Sequence, residues 1–184
     1  MTISIKRLLG VTAIVSLGGL LVAGNTAAAE LEATARATIL PPVQLTENVE
    51  LNFGTVGVED DGVEATYTID AETGTDTAVN LQVLDPAVRG EFTVSGREGE
   101  NVVVTFDNVD FLLTCQAGGD CAEGVDTVAV EGLETGATNI FALTDTPNGL
   151  RASANFFVGA LLRIAAGTEG GEYVGSYTVI ANYE

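Results

Sequence analysis

The stretch Ala154-Asn155-Phe156-Phe157-Val158-Gly159-Ala160-Leu161-Leu162-Arg163-Ile164-Ala165-Ala166 decides the fold. It is the one place where a helix competes, because apolar residues are dense and β-branching is thin. Gly159 interrupts it, and Gly167-Thr168-Glu169-Gly170-Gly171 supplies a hairpin loop at its end, so it reads as a strand. Phe156, Val158, Ala160, Leu162 and Ile164 then share one face. No other segment carries the 3.6-residue period of an amphipathic helix. With this one assigned, the chain is all-β.

Working outward, period two recurs throughout. Downstream, Tyr173, Gly175, Tyr177, Val179, Ala181 and Tyr183 alternate as a terminal strand entered from Gly171. Upstream, alternation marks Val49, Leu51 and Phe53; Val63 to Ile69; Val79, Leu81 and Val83; Phe92 and Val94; Val102, Val104 and Phe106; Phe111 and Leu113; and Val128 and Val130. Turn signals separate them at Glu72-Thr73-Gly74, Ser95-Gly96-Arg97-Glu98-Gly99, Pro147-Asn148-Gly149 and Glu169-Gly170-Gly171. Short strands at this spacing, with 22 glycines, predict an antiparallel β-sandwich of immunoglobulin-like type. Near the start, Leu31, Ala33, Ala35, Ala37 and Ile39 alternate with Glu32, Thr34, Arg36 and Thr38 before Pro41-Pro42 ends the run. Residues 30–40 are therefore expected to be an N-terminal strand, and residues 41–184 a single domain.

Residues 1–29 read as a cleaved signal peptide. Lys6 and Arg7 precede an apolar, glycine-broken run, and Ala27-Ala28-Ala29 offers a small-residue cleavage site. That predicts export to the periplasm, cell surface or medium, with no membrane span once the signal is removed. Removal also takes the only lysine. Arg36, Arg89, Arg97, Arg151 and Arg163 then face all 26 acidic side chains. Such a surface repels phosphate backbones and anionic lipid, so no nucleic-acid partner is expected.

Reactive chemistry finds little footing. With no His, a nucleophilic triad lacks its base and a zinc site lacks its usual nitrogen ligand. The Gly pairs do not have phosphate-loop spacing, and Trp platforms for a glycosidase cleft are absent. No enzyme and no cofactor are expected. Cys115 and Cys121, alone in an exported chain, predict a disulfide across a short loop. Two acidic loops are weak Ca²⁺ candidates: Asp60 and Asp61 beside Gly62, and Asp120 with Asp126. Neither has the spaced Asp-x-Asp-x-Asp-Gly pattern, and a solvated acidic turn is the preferred reading.

Certain stretches are familiar. Ala33-Thr34-Ala35-Arg36-Ala37-Thr38-Ile39 followed by Leu51-Asn52-Phe53-Gly54-Thr55-Val56 resembles the opening of the bacterial domain-of-unknown-function family 4402. Gly171-Glu172-Tyr173-Val174-Gly175-Ser176-Tyr177-Thr178-Val179-Ile180-Ala181-Asn182-Tyr183 is similar to its ending. The resemblance implies an exported, all-β domain without a known reaction. More distantly, Tyr183 near the terminus and Gly171 twelve residues before it resemble subunits of chaperone–usher pili and spore-coat-like proteins. That likeness implies a pilin-like sandwich and makes residues 30–40 a possible donor strand for another subunit, with a periplasmic chaperone as a second possible partner. The cysteine pair departs from the likeness, because many such pilins join their first two strands by a disulfide.

Two placements stay open for the N-terminal strand: its own sandwich, preferred for an isolated chain, or that of a second copy. The expected function is a structural, fimbrial-like surface module. The alternative is a monomeric secreted binding module, a Ca²⁺- or glycan-dependent adhesin.

Overall fold

The strand at Ala152–Ile164 is the spine of the protein, in a computed structural model that describes residues 30–58, 62–116, 119–144 and 151–184. Contacts divide the chain into Met1–Ala37 and Thr38–Glu184. The expected signal peptide at 1–29, and the turn Pro147-Asn148-Gly149, lie outside the described residues.

Thirteen strands and no helix occur among the described residues. In order they are β1 (Gln44–Val49), β2 (Thr55–Val58), β3 (Ala65–Ile69), β4 (Asp76–Val79), β5 (Leu81–Asp85), β6 (Gly90–Gly96) and β7 (Asn101–Phe106). Then follow β8 (Phe111–Cys115), β9 (Thr127–Glu134), β10 (Ile140–Ala142), β11 (Ala152–Ile164), β12 (Tyr173–Val174) and β13 (Val179–Tyr183). Every pairing is antiparallel.

The large sheet runs β1-β6-β11-β9-β8-β12, with β3 and β4 branching from β11. A small sheet, β10-β7-β13, and a ribbon, β2-β5, complete the set. The sheets curl into an open, sandwich-like half-barrel. Alternation decides what is buried. On β11, Ala152, Phe156, Val158, Ala160, Leu162 and Ile164 all face inward. They meet Val94 of β6 and Val102 and Val104 of β7 in one core, where the Phe141 and Phe156 rings stack 5.1 Å apart. Each Val, Leu, Ile or Phe among them contributes about 1.5–3 kcal/mol by leaving water, the alanines much less.

Gly159 is the point at which β11 changes neighbours. Before it, β11 pairs β6 from Ala152↔Gly96 to Val158↔Gly90; after it, β3 takes over from Ala160↔Ile69. A methyl group on Gly159 would sit 2.2 Å from the Ile69 carbonyl oxygen. Only glycine lets the two backbones pass that closely.

Three expectations need correction, and of the two placements open for the N-terminal strand its own sandwich is not adopted. Leu31, Ala33, Ala35, Ala37 and Ile39 form no strand here: residues 30–43 are outside any ladder, and Leu31 and Ile39 are 90% and 91% exposed. Three alanines bury little area, and Pro41-Pro42 cannot make the tight reversal that would lay the segment back along β1. Two-residue hairpin turns need positive φ, whereas proline is fixed near −65°.

The terminal strand is two strands. Tyr173 and Val174 pair β8, whereas Val179 to Tyr183 pair β7 in the other sheet. The change of sheet occurs around Gly175, where a methyl would lie 2.6 Å from the Leu112 carbonyl oxygen.

Val79, Leu81 and Val83 are likewise split, at Asn80, whose φ of 57° breaks the pleat while its amide donates to the Glu64 carbonyl. Leu51 and Phe53 are not a strand either. Asn52 makes one bridge to Val88, and its side-chain oxygen accepts from the Gly54 N–H at 2.7 Å. Gly54 takes φ 68° there, with space for a methyl only 2.3 Å from the Asp85 carbonyl oxygen. The Asn-Phe-Gly-Thr segment is thus a turn built on an Asx hydrogen bond.

Candidate functional site

Because the half-barrel does not close, an open groove of about 1170 Å³ runs along it, within residues 45–179. Its floor is apolar and drawn from distant parts of the chain. Leu45 comes from β1, Phe92 from β6, Phe111 and Leu113 from β8, and Leu162 and Ile164 from β11. Alternation places these side chains there, since each occupies an inward position of its strand. Tyr177 also lines it, with its ring centroid 6.4, 6.3 and 5.6 Å from those of Phe92, Phe106 and Phe111.

The groove is bordered by unpaired backbone. Among the described residues β1 pairs only β6, β12 only β8 and β13 only β7, while residues 175–178 lie in no ladder. Free N–H and C=O groups along such edges accept another strand. The rim carries the carboxylates of Glu47, Glu50, Asp85, Glu169 and Glu172, and no Lys or Arg lines it among the described residues.

The sequence-predicted residues distribute unevenly around this groove. Gly171, Tyr173, Tyr177 and Val179 line it. Burial pushes the Tyr177 hydroxyl pKa up, with Glu47 adding to the shift, and that oxygen is buried without a hydrogen-bond partner among the described residues. Burial also raises Tyr173, helped by Asp126 and Glu169, and its hydroxyl donates to the Glu169 carbonyl at 2.8 Å.

Tyr183 lies elsewhere. Its hydroxyl donates to the Pro41 carbonyl and accepts from the Arg97 N–H, both at 2.8 Å. A methyl at Gly96 would collide with it at 2.5 Å, so the root of the N-terminal segment is held where β6 ends. Leu31, Ala33, Ala35, Ala37 and Ile39 are exposed and join none of these elements.

Cys115 and Cys121 are bonded, with Cα atoms 6.2 Å apart, and both are buried. Their loop abuts residues 170–173 at one end of the groove. Spacing alone did not announce that contact, although Gly171 and Gly175 in Gly-x-Tyr-x-Gly are its signal. The Asp120 backbone N–H donates to the Gly170 carbonyl, and Asp126 Oδ2 accepts from the Ala122 N–H. Among the described residues no three acidic or cysteine side chains gather as a metal site. Asp60 and Asp61 lie outside the described residues.

No curated protein and no solved structure matches the chain. One family does, described as Domain of unknown function (DUF4402), over residues 43–183. The matched stretch begins just after Pro41-Pro42, so Ala33 to Ile39 fall outside it. The turn at Asn52 to Gly54 and the segment from Gly171 to Tyr183 fall inside. With most of its length matched, and with the turn and the sheet-changing segment both within the match, this chain belongs to the DUF4402 family.

Proposed function

We propose that this chain is an exported, non-enzymatic structural protein of the cell surface, a fimbrial-like module that joins other copies by strand addition in the groove. One observation carries the reading: the half-barrel has an apolar floor between unpaired strand edges, and an exposed alternating segment at residues 31–39 has the pattern to fill it. In an extended strand Leu31, Ala33, Ala35, Ala37 and Ile39 project to one side. Leu31 and Ile39 would each contribute about 1.5–3 kcal/mol on burial. Backbone pairing adds roughly 0.5–1.5 kcal/mol per hydrogen bond. Since Pro41-Pro42 oppose a hairpin back onto β1, the segment reaches a second copy more readily than its own groove. Before a partner arrives, the open edges invite aggregation, which a periplasmic chaperone would suppress by covering them.

A second reading, a monomeric secreted binding module, draws on the rim. Carboxylates with no Lys or Arg beside them among the described residues favour a cationic, partly apolar ligand.

Light scattering of the purified exported protein over a range of concentrations tests the first reading. Concentration-dependent oligomers that strengthen with salt, and disappear in the Leu31→Asp/Ile39→Asp variant, are expected. A monomer at every concentration and salt overturns it.

A further inference from the structure

The groove's end wall, residues 170–173, is held by very little ladder. β12 has only two residues, paired as Tyr173↔Cys115 and Val174↔Thr114. The remaining ties run to the disulfide loop. The N–H groups of Asp120 and Cys121 both donate to the Gly170 carbonyl, at 2.8 and 3.1 Å, and the Gln116 N–H donates to the Glu172 carbonyl at 2.8 Å. The packing there is too close for any side chain. A methyl on Gly171 would lie 2.2 Å from Cys121 Sγ, and one on Gly119 would lie 2.5 Å from the Gly171 Cα. The loop is braced in turn by Asp126, whose carbonyl accepts from Cys115 N–H and whose carboxylate accepts from Ala122 N–H.

We infer that the Cys115–Cys121 disulfide is the latch of the groove, so that strand uptake requires the oxidised chain. This rests on the reading of the groove as a strand acceptor. Both cysteines are buried yet stand outside the main core cluster, so opening the bond releases the wall and leaves the core in place. Without the bond, Cys121 and Asp120 reach Gly170 from a loop no longer tied to Cys115, and the two-residue ladder with the Gln116 N–H to Glu172 carbonyl bond is left to keep residues 170–173 at the groove's edge. Reduction by a dithiol such as dithiothreitol breaks the Sγ–Sγ bond. Each cysteine sulfur takes up one electron and one proton, and the dithiol closes to its cyclic disulfide. Assembly is thereby confined to oxidising surroundings, where disulfides persist.

The test compares oxidised protein, dithiothreitol-reduced protein and the Cys115→Ser/Cys121→Ser variant by sedimentation for association and by circular dichroism melting for the fold. The reduced and double-variant proteins are expected to keep a cooperative β-sheet melt while association weakens roughly tenfold or more. Gly171→Ala, with its Cys115–Cys121 bond shown intact by thiol titration, disturbs the wall and is expected to weaken association as well. Equal association of oxidised and reduced protein overturns the latch and leaves the strand-acceptor reading standing. Failure of the oxidised protein to associate overturns that reading, and the latch with it. If the reduced forms do not fold, Gly171→Ala decides, and unchanged association of that variant overturns the latch.

Discussion

Two tyrosines on the closing segment have opposite energetics. The Tyr177 hydroxyl is buried without a partner among the described residues, a condition that costs about 1–3 kcal/mol, so Tyr177→Phe should leave stability unchanged or raise it. The Tyr183 hydroxyl makes two hydrogen bonds, to Pro41 and Arg97, so Tyr183→Phe should lose about 1–2 kcal/mol. Urea unfolding of the two single variants reads the contrast directly; equal losses would show that Tyr177 has a partner after all.

Acid sensitivity also begins with single side chains. Backbone and hydroxyl hydrogen bonds from Thr73 hold the Asp70 carboxyl below its usual pKa, and hydrogen bonds from Arg163 do the same for Glu131. A carboxyl depressed in the folded state stabilises above its unfolded pKa, near 4, and that contribution is lost as pH falls through the lower folded value. The small stabilisation from these two carboxyls is therefore expected to fade as pH falls below about 4. In Asp70→Asn the acid limb of melting temperature against pH should be shallower.

Among the elements, β11 and β6 are written plainly in the sequence, because a uniform period of two over a buried face leaves one register. Gly159 was legible as an interruption, whereas its role in the change of neighbour was not, since that depends on the Ile69 backbone arriving from far upstream. A methyl there meets backbone at 2.2 Å, while one at Gly57 on β2 meets nothing nearer than 3.9 Å. Gly159→Ala should cost about 1–3 kcal/mol or prevent folding, and Gly57→Ala should melt within a few degrees of the parent. The division between β12 and β13 was invisible because alternation continues unbroken through Tyr173, Tyr177, Val179 and Tyr183. A strand that crosses from one sheet to the other keeps the same side inward. The groove was hidden for a related reason: it lies between edges drawn from distant parts of the chain, and no local pattern shows which edges stay unpaired. Asn80 and the Asx turn at Asn52 show the same limit, as single backbone angles cut two alternating runs.

For the whole molecule, charge sets the conditions of stability. The formal net charge is −19 at pH 7, and repulsion among carboxylates at distances beyond 8–10 Å is screened at physiological ionic strength. Raising salt from about 10 mM to about 500 mM, which shortens the screening length several-fold, should raise the melting temperature. It should also tighten association between copies, since each brings the same sign of charge. A groove ligand of opposite charge would respond in reverse, binding more weakly as salt rises, so one titration separates the two readings of the rim. The few arginines are spent locally: Arg163 bridges Glu64 and Glu131, and Arg89 lies over the Phe157 ring while donating to the Ala71 and Glu72 carbonyls.

The grip of Tyr183 on Pro41, together with the Asn101 side chain on the Glu184 carboxylate at 3.0 Å, brings the entry and exit of the β-body to the same corner. Such neighbouring ends permit circular permutation. A glycine bridge from residue 184 to residue 41, with the backbone reopened at the exposed turn between Glu98 and Gly99, should yield a rearranged gene product whose sheets are unchanged.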